Sequence, residues 1–356
     1  MAEIIKQGNN NKRISSLDGF RAISIILVLI NHNPYNKKSF LPTIYWTLAH
    51  YGYVGVTIFF VISGLLITNL LLKEQEATGR IDIKNFYIRR VLRIFPVFFL
   101  YIFFVMAWGN IEQLGVTNSD LLHAFTFTVN FNLKNTNWFV GHFWSLSVEE
   151  QFYIFWPLIF FLFRKKLKIV LGILIVYSCI IRLITYQYPE LELPLLSPFF
   201  ASSDSIMIGA FGGVLLFENA AICKLKKANS YILQIISIAL ILLLLCSQHR
   251  NYLPFIIIPI GNTFISVAIL FLILTNISPS NSIAFKLLNN KFIVHIGVLS
   301  YSIYVWQQFF MKGELHIWRV FPFSFVAIYI VSLISYYLWE MPFLKLRKYF
   351  LATRFG

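Results

Sequence analysis

Apolar residues in this chain fall in long runs separated by short polar breaks, without the alternation of half-buried strands or the narrow stripe of soluble helices. A helix needs about 20 mostly apolar residues to cross the hydrocarbon of a bilayer. Read for runs of that length, the sequence predicts ten spans, near 17–34, 53–73, 94–110, 142–163, 168–187, 199–217, 231–247, 255–275, 292–311 and 322–343. The first and third are the least typical, because Arg21 and Arg93 stand at their edges. No fixed-period repeat or low-complexity linker breaks the series. Residues 1–356 are therefore expected to form a single all-α domain, a polytopic transmembrane helical bundle. The first twenty residues are polar and lack a signal-peptide pattern, so the first span is expected to remain in place.

Composition agrees with that reading. Apolar and aromatic residues make up 58% of the 356 positions and charged residues only 13%, about half the share of a soluble domain. A soluble globular, disordered or collagen-like chain is excluded. The charge that remains is lopsided, with 30 Lys+Arg against 15 Asp+Glu and a net +15. Its placement follows the predicted spans. Segments 1–21, 73–93, 164–168, 218–230, 276–291 and 344–356 hold 23 of the 30 basic residues. The other seven are Lys37, Lys38, Lys134, Arg182, Arg250, Lys312 and Arg319. Basic residues favour the cytoplasmic side, so the expectation is ten spans with both termini cytoplasmic. Basic residues scattered along one membrane face also argue against nucleic-acid binding. Cys179, Cys223 and Cys246 form no CxxC pair and read as small hydrophobes.

Ionisable residues inside spans are costly and usually mark function. In the first span Arg21 and His32 are eleven residues apart, three turns plus about 20°, so they share a face roughly 16 Å apart along the axis. Asp18 is three residues before Arg21 and in reach of it. The plainer alternative is a snorkelling arginine and a histidine at the membrane boundary. In the fourth span His142 and Glu149 are seven apart and again share a face, and adjacent Glu149 and Glu150 can hardly both meet lipid. The plainer alternative there is a helix N-terminus, where acids suit the dipole. Arg89, Arg90 and Arg93 can converge at the start of the third span as a phosphate-binding fork, or simply anchor the helix on the positive side. Gly55, Ser63 and Gly64 read as close-packing small residues, Asp204 as a polar point in the sixth span, and Glu340 as an acid at the interface. The histidines show no metal-ligand spacing, and no metal site is expected.

These segments together resemble the acyltransferase-3 family of bacterial integral-membrane O-acyltransferases. The resemblance rests on Arg21-x10-His32 following Leu17-Asp18-Gly19-Phe20; on Gly55 to Gly64; on the arginine stretch Phe86 to Pro96; on Gly141 to Tyr153; on Ser300-Tyr301-Ser302-Ile303-Tyr304-Val305-Trp306; and on Trp339-Glu340-Met341-Pro342. Six motifs in order, across nearly the whole chain, make it strong. In one respect the chain departs from the pattern: after the tryptophan of this motif, here Tyr304-Val305-Trp306, the family often has His, and here Gln307 stands. Some members carry an appended extracytoplasmic hydrolase-like domain; none is expected within residues 1–356.

The resemblance implies a multi-pass protein of the bacterial cytoplasmic membrane. It implies transfer of an acyl group, most simply acetyl, from cytoplasmic acyl-CoA as co-substrate to a hydroxyl of an extracytoplasmic glycan or glycolipid, with no tightly bound cofactor. The residues suit that task. Arg89, Arg90 and Arg93 would bind the donor's phosphates. His32 would act as general base or transient acyl carrier, Glu149 would orient it, and Arg21 would hold or polarise the thioester. Asp18, His142, Ser145, Glu150 and Tyr301 would support them. His32 and Glu149 are expected to approach each other. The aromatic residues Trp46, Trp138 and Trp318 fit sugar, lipid interface or core alike. The alternative is a secondary transporter using His32 and Glu149 as a proton relay, although no inverted repeat is visible. A membrane scaffold would leave both spacings without a purpose.

Overall fold

The computed structural model describes residues 14–32, 51–189, 191, 197–218, 230–312 and 316–352, and these are helical with no strand among them. Ten long helices coincide with the ten predicted runs. They are α1 (Ser15–His32), α2 (Tyr53–Thr78), α3 (Ile83–Glu112), α4 (Phe143–Phe163) and α5 (Leu167–Gln187). After them come α6 (Ser197–Phe217), α7 (Ser230–His249), α8 (Pro254–Asn276) and α9 (Lys291–Phe310). The last, α10 (Phe323–Ile334), continues through a π-helical turn (Ser335–Glu340) into Met341–Ala352. Among the described residues, seven stretches are long and apolar enough to cross a membrane, one of them holding both α4 and α5. Neither α1 nor α9 qualifies. The reason is chemical: α1 carries Asp18, Arg21 and His32, and α9 carries Ser300, Ser302, Gln307 and Gln308.

These two polar helices lie against each other at close range. A side chain at Gly297 would put its Cβ 1.8 Å from the Asp18 carbonyl oxygen, and one at Gly19 would meet, at 2.2 Å, the carbonyl of Leu288 at the end of the short helix Ile283–Leu288 that leads into α9. Only glycine permits such backbone contact. In the same way Gly64 lies against the Ile206 carbonyl and Gly209 against that of Val61, which packs α2 on α6. Gly55 and Gly64 thus have the packing role expected of them. Large apolar side chains point outward along α4, α5 and α7, including Phe155, Phe161, Ile173 and Leu243. An outward belt of that kind is what lipid tails cover. The chain is a multi-pass membrane protein.

Buried charge is matched across helices. Arg182, one of the seven basic residues outside the expected cytoplasmic segments, is buried within α5. Its Nη2 meets the Asp204 carboxylate of α6 at 2.9 Å. Its Nε donates to the Pro259 carbonyl of α8 at 2.8 Å and its Nη1 to Ala201 at 3.1 Å. Thr263 Oγ1 completes the cluster by donating to Asp204 at 2.6 Å. Asp204 is therefore the polar point expected in the sixth span, and its role is to neutralise Arg182. Cys179 and Cys246 are free thiols, and Cys223 lies outside the described residues.

Removing one member of a buried pair leaves the other uncompensated, at a cost of about 3–5 kcal/mol. Asp204→Leu is expected to lower the thermal unfolding midpoint of the detergent-purified protein sharply. Arg182→Leu combined with Asp204→Leu should recover most of the loss, because no charge is then left behind.

Candidate active site

Pro96 lies inside α3 and removes a backbone donor there. Around that point the carbonyls take side-chain partners from the late motifs. Tyr301 of α9 donates to the Ile94 carbonyl at 2.7 Å, and Trp339 Nε1 donates to the Pro96 carbonyl at 2.8 Å. Ser302 donates to Glu340 at 2.8 Å, and Glu340 is buried rather than at an interface. The arginine stretch, the Tyr301 motif and the Trp339-Glu340 motif thus form one physical unit. Helices α1, α2, α3, α4 and α9 close around a cavity of about 270 Å³.

Most of the predicted site residues line that cavity: Arg21, Arg89, Arg90, Arg93, Ser145, Glu149 and Tyr301. The remaining walls are largely apolar and aromatic, from Val56, Phe59, Phe60 and Leu66 to Tyr153 and Tyr304. The four arginines are not equivalent. Arg21 pairs with Asp18 at 2.9 Å, as the spacing predicted. Arg89 does not join a three-membered fork: it is buried and its Nη2 meets Glu74 of α2 at 3.1 Å. Arg90 lies over the Tyr153 ring at 5.1 Å and the Phe86 ring at 5.8 Å. Among the described residues, neither Arg90 nor Arg93 has a hydrogen-bond or ion-pair partner. Two guanidiniums with unused donors therefore face an apolar-walled space, where an anion with several oxygens would be held strongly.

Glu149 accepts a hydrogen bond from Ser63 Oγ of α2 at 2.5 Å. Ser63 is thus a site residue, not merely a packing one. Its only trace in the sequence is a hydroxyl within the run Phe59-Phe60-Val61-Ile62-Ser63. Glu150 is buried beside it, with Oε1 unpartnered. Toward the other end, Ser145 Oγ and Tyr304 Oη are 2.5 Å apart, and Tyr304 donates to the His142 carbonyl at 2.7 Å. His142 is buried between Tyr101 and Tyr304, with ring centroids 5.5 Å from each.

His32 stands beyond the cavity's aromatic end and is not joined to Glu149 by a hydrogen bond or ion pair. The expected approach of the two is not found, because each is held elsewhere. His32 Nδ1 is 3.2 Å from Gln307 Oε1, one helical turn past Tyr304 on α9. Its ring meets Trp138 edge-on with centroids 5.8 Å apart, and Trp138 Nε1 donates to the Gln308 carbonyl at 3.0 Å. Gln307, noted in the sequence only as a departure, is thus the partner of His32. A His32–Glu149 proton relay has no direct link here. Trp318 stacks on His316 at 4.3 Å, and Trp46 lies outside the described residues.

The loop that carries Trp138 is fixed by Asp120, which accepts from the backbone N–H groups of Thr117 at 2.8 Å and Asn137 at 2.9 Å. Burial pushes that carboxyl up, but these hydrogen bonds outweigh it and hold Asp120 below the usual carboxylate range. Among the described residues no cluster of His, Cys, Asp and Glu is arranged to hold a metal ion.

Arg89→Gln is expected to reduce the amount of folded protein in membranes, since it strands Glu74. Arg93→Gln breaks no ion pair and should leave that amount nearly unchanged; quantitative immunoblotting of membrane fractions checks both.

Comparison with known proteins adds the context of this geometry. Residues 14–341 match the family model described as an acyltransferase domain, Acyl_transf_3. The chain is 32% identical, over 93% of its length, to a Staphylococcus aureus (strain COL) protein named "Putative O-acetyltransferase". It is 28% identical, over 94% of its length, to the peptidoglycan O-acetyltransferase OatA of Listeria monocytogenes. It spans 57% and 56% of those two relatives' own lengths. No solved structure matches it. The matched stretch contains the whole cavity and the His32–Gln307 pair. The chain belongs to the Acyl_transf_3 acyltransferase family.

Proposed function

We propose that the protein transfers an acetyl group from acetyl-CoA to a hydroxyl of an extracytoplasmic cell-wall glycan, peptidoglycan being the acceptor class that the Listeria relative's name suggests. The observation that carries this reading is a cavity lined by two guanidiniums, Arg90 and Arg93, that have no ion-pair partner among the described residues. Tyr304 lines the same cavity, and one turn further along its helix Gln307 holds the imidazole of His32. In the orientation that the basic residues favour, the arginine end is cytoplasmic and the His32 end faces outward, in the bacterial cytoplasmic membrane.

The donor's phosphates would bind Arg90 and Arg93 through charge-assisted hydrogen bonds. Its pantetheine arm would run along the aromatic walls, past Glu149 and Ser145, and bring the thioester toward His32. The acceptor hydroxyl would lose its proton to His32 as its oxygen attacks the thioester carbon. The C–O bond forms, the C–S bond breaks, and the proton passes to the departing thiolate. Arg21, fixed by Asp18, keeps a cation near the donor along the same face of α1 as His32. Glu149, fixed by Ser63, shapes the arginine end rather than assisting the imidazole directly.

His32→Ala should abolish ester formation on the glycan while leaving membrane abundance unchanged, as measured by acetate released from isolated cell wall. Full ester content in that variant would overturn the reading. Arg90→Gln and Arg93→Gln should each raise the KM for acetyl-CoA by about 10-fold or more, the loss of one charged hydrogen bond. Vesicle assays with labelled acetyl-CoA measure that change directly.

A further inference from the structure

We propose that Gln307 is a positioning residue that holds His32 with Nδ1 protonated, leaving Nε2 as the nitrogen that takes the acceptor's proton. The proposal rests on the function above and adds the device that orients its base. Nδ1 of His32 faces the amide oxygen of Gln307 at 3.2 Å. An amide oxygen only accepts, so Nδ1–H is the donor and the lone pair of the ring is on Nε2. Among the described residues Nε2 has no hydrogen-bond partner.

Three further observations show that this contact is built rather than incidental. Gln307 is completely buried, and its Nε2 finds no partner. A buried amide with unused donors is unfavourable, and an apolar residue of the same volume would pack there without that cost. Secondly, the contact depends on α1 lying against α9, where Gly297 brings the α9 backbone onto the Asp18 carbonyl of α1. Thirdly, Trp138 closes the ring's edge and is itself tied to the Gln308 carbonyl on the same helix. Among the described residues, the groups that face His32 are Gln307 on α9, Trp138 ahead of α4, and His142 at the start of α4, close enough to interact with it electrostatically, and none of these is a carboxylate. The amide therefore does the orienting part of a triad acid's work without its charge.

The test uses the full-length protein in liposomes, with acetyl-CoA and a soluble peptidoglycan fragment as substrates. Gln307→Leu keeps the volume and removes the acceptor; kcat should fall by about 10–100-fold with the KM for acetyl-CoA unchanged. Gln307→Glu keeps the accepting oxygen and adds a negative charge. It should retain activity while the acid limb of its pH–rate profile moves by about 1 unit to higher pH, because a carboxylate favours the protonated ring, which is inactive as a base. A merely structural glutamine would leave that limb in place. Wild-type kcat in Gln307→Leu, or a Gln307→Glu profile that superimposes on the wild type, overturns the proposal. If Gln307→Leu does not accumulate, the profile of Gln307→Glu decides alone. His32→Ala is run alongside: if it still transfers acetyl, the functional reading itself fails. An inactive His32→Ala beside a fully active Gln307→Leu removes only the role of the glutamine.

Discussion

A guanidinium placed among apolar side chains is unfavourable unless an acceptor meets it, and that constraint sorts the arginines of this bundle. Arg182 meets Asp204 at 2.9 Å, Arg89 meets Glu74 at 3.1 Å and Arg319 meets Glu112 at 2.8 Å. Each partner comes from a different helix or connecting segment, so the contact that relieves the charge also joins elements of the fold. Arg90 and Arg93 lie in the same bundle with no such partner among the described residues. Aromatic faces soften the cost for Arg90 but do not use its donors. The unmatched pair faces the cavity, whereas Arg89, Arg182 and Arg319 join elements of the fold through their partners. An anion entering the cavity supplies the acceptors that the fold withholds.

The same constraint explains which helices look least like membrane spans. The polar groups of the site come chiefly from α1, α3, α4 and α9, and of these α1 and α9 fall short in apolar content. Their stability has to come from packing rather than from lipid-facing surface. The backbone contact of Gly297 with Asp18 supplies it by bringing the two helices within touching distance. That closeness has a chemical consequence at the far end, where Gln307 comes within hydrogen-bonding range of His32. A bulkier residue at Gly297 would thus disturb the His32–Gln307 contact several turns away.

Much of this was legible in the sequence, and what was missed has a common cause. The ten helices follow from apolar run length, and the shared face of Arg21 with Asp18 follows from helical spacing, because both are local. So does the inward direction of Glu149 and Glu150, since adjacent acids have no other place to go. Local spacing could not reveal that Arg89 reaches back fifteen residues to Glu74, which removes it from the expected fork. Nor could it pair Ser63 with Glu149, 86 residues apart, or His32 with Gln307, 275 residues apart. Spacing along one helix predicts a face; partners across helices depend on which faces the packing glycines bring together. Gln307 was the most instructive case, because reading it as a lost histidine hid the acceptor that it provides.

The separation of His32 from Glu149 bears on what kind of ligand the site suits. Arg21 and His32 are about 16 Å apart along α1, with Glu149 held beside the arginines and His32 held by the opposite end of α9. A small solute moving through a transporter would need its charged contacts gathered at one depth, where a single relay could load and release it. These groups are instead spread along the axis, with guanidiniums toward one end and an imidazole toward the other. A long donor with phosphates at one terminus and a reactive carbonyl at the other, as proposed above, would reach both and would need no helix to move between them. The spread of the polar groups is therefore the feature that sets group transfer apart from solute transport in this bundle.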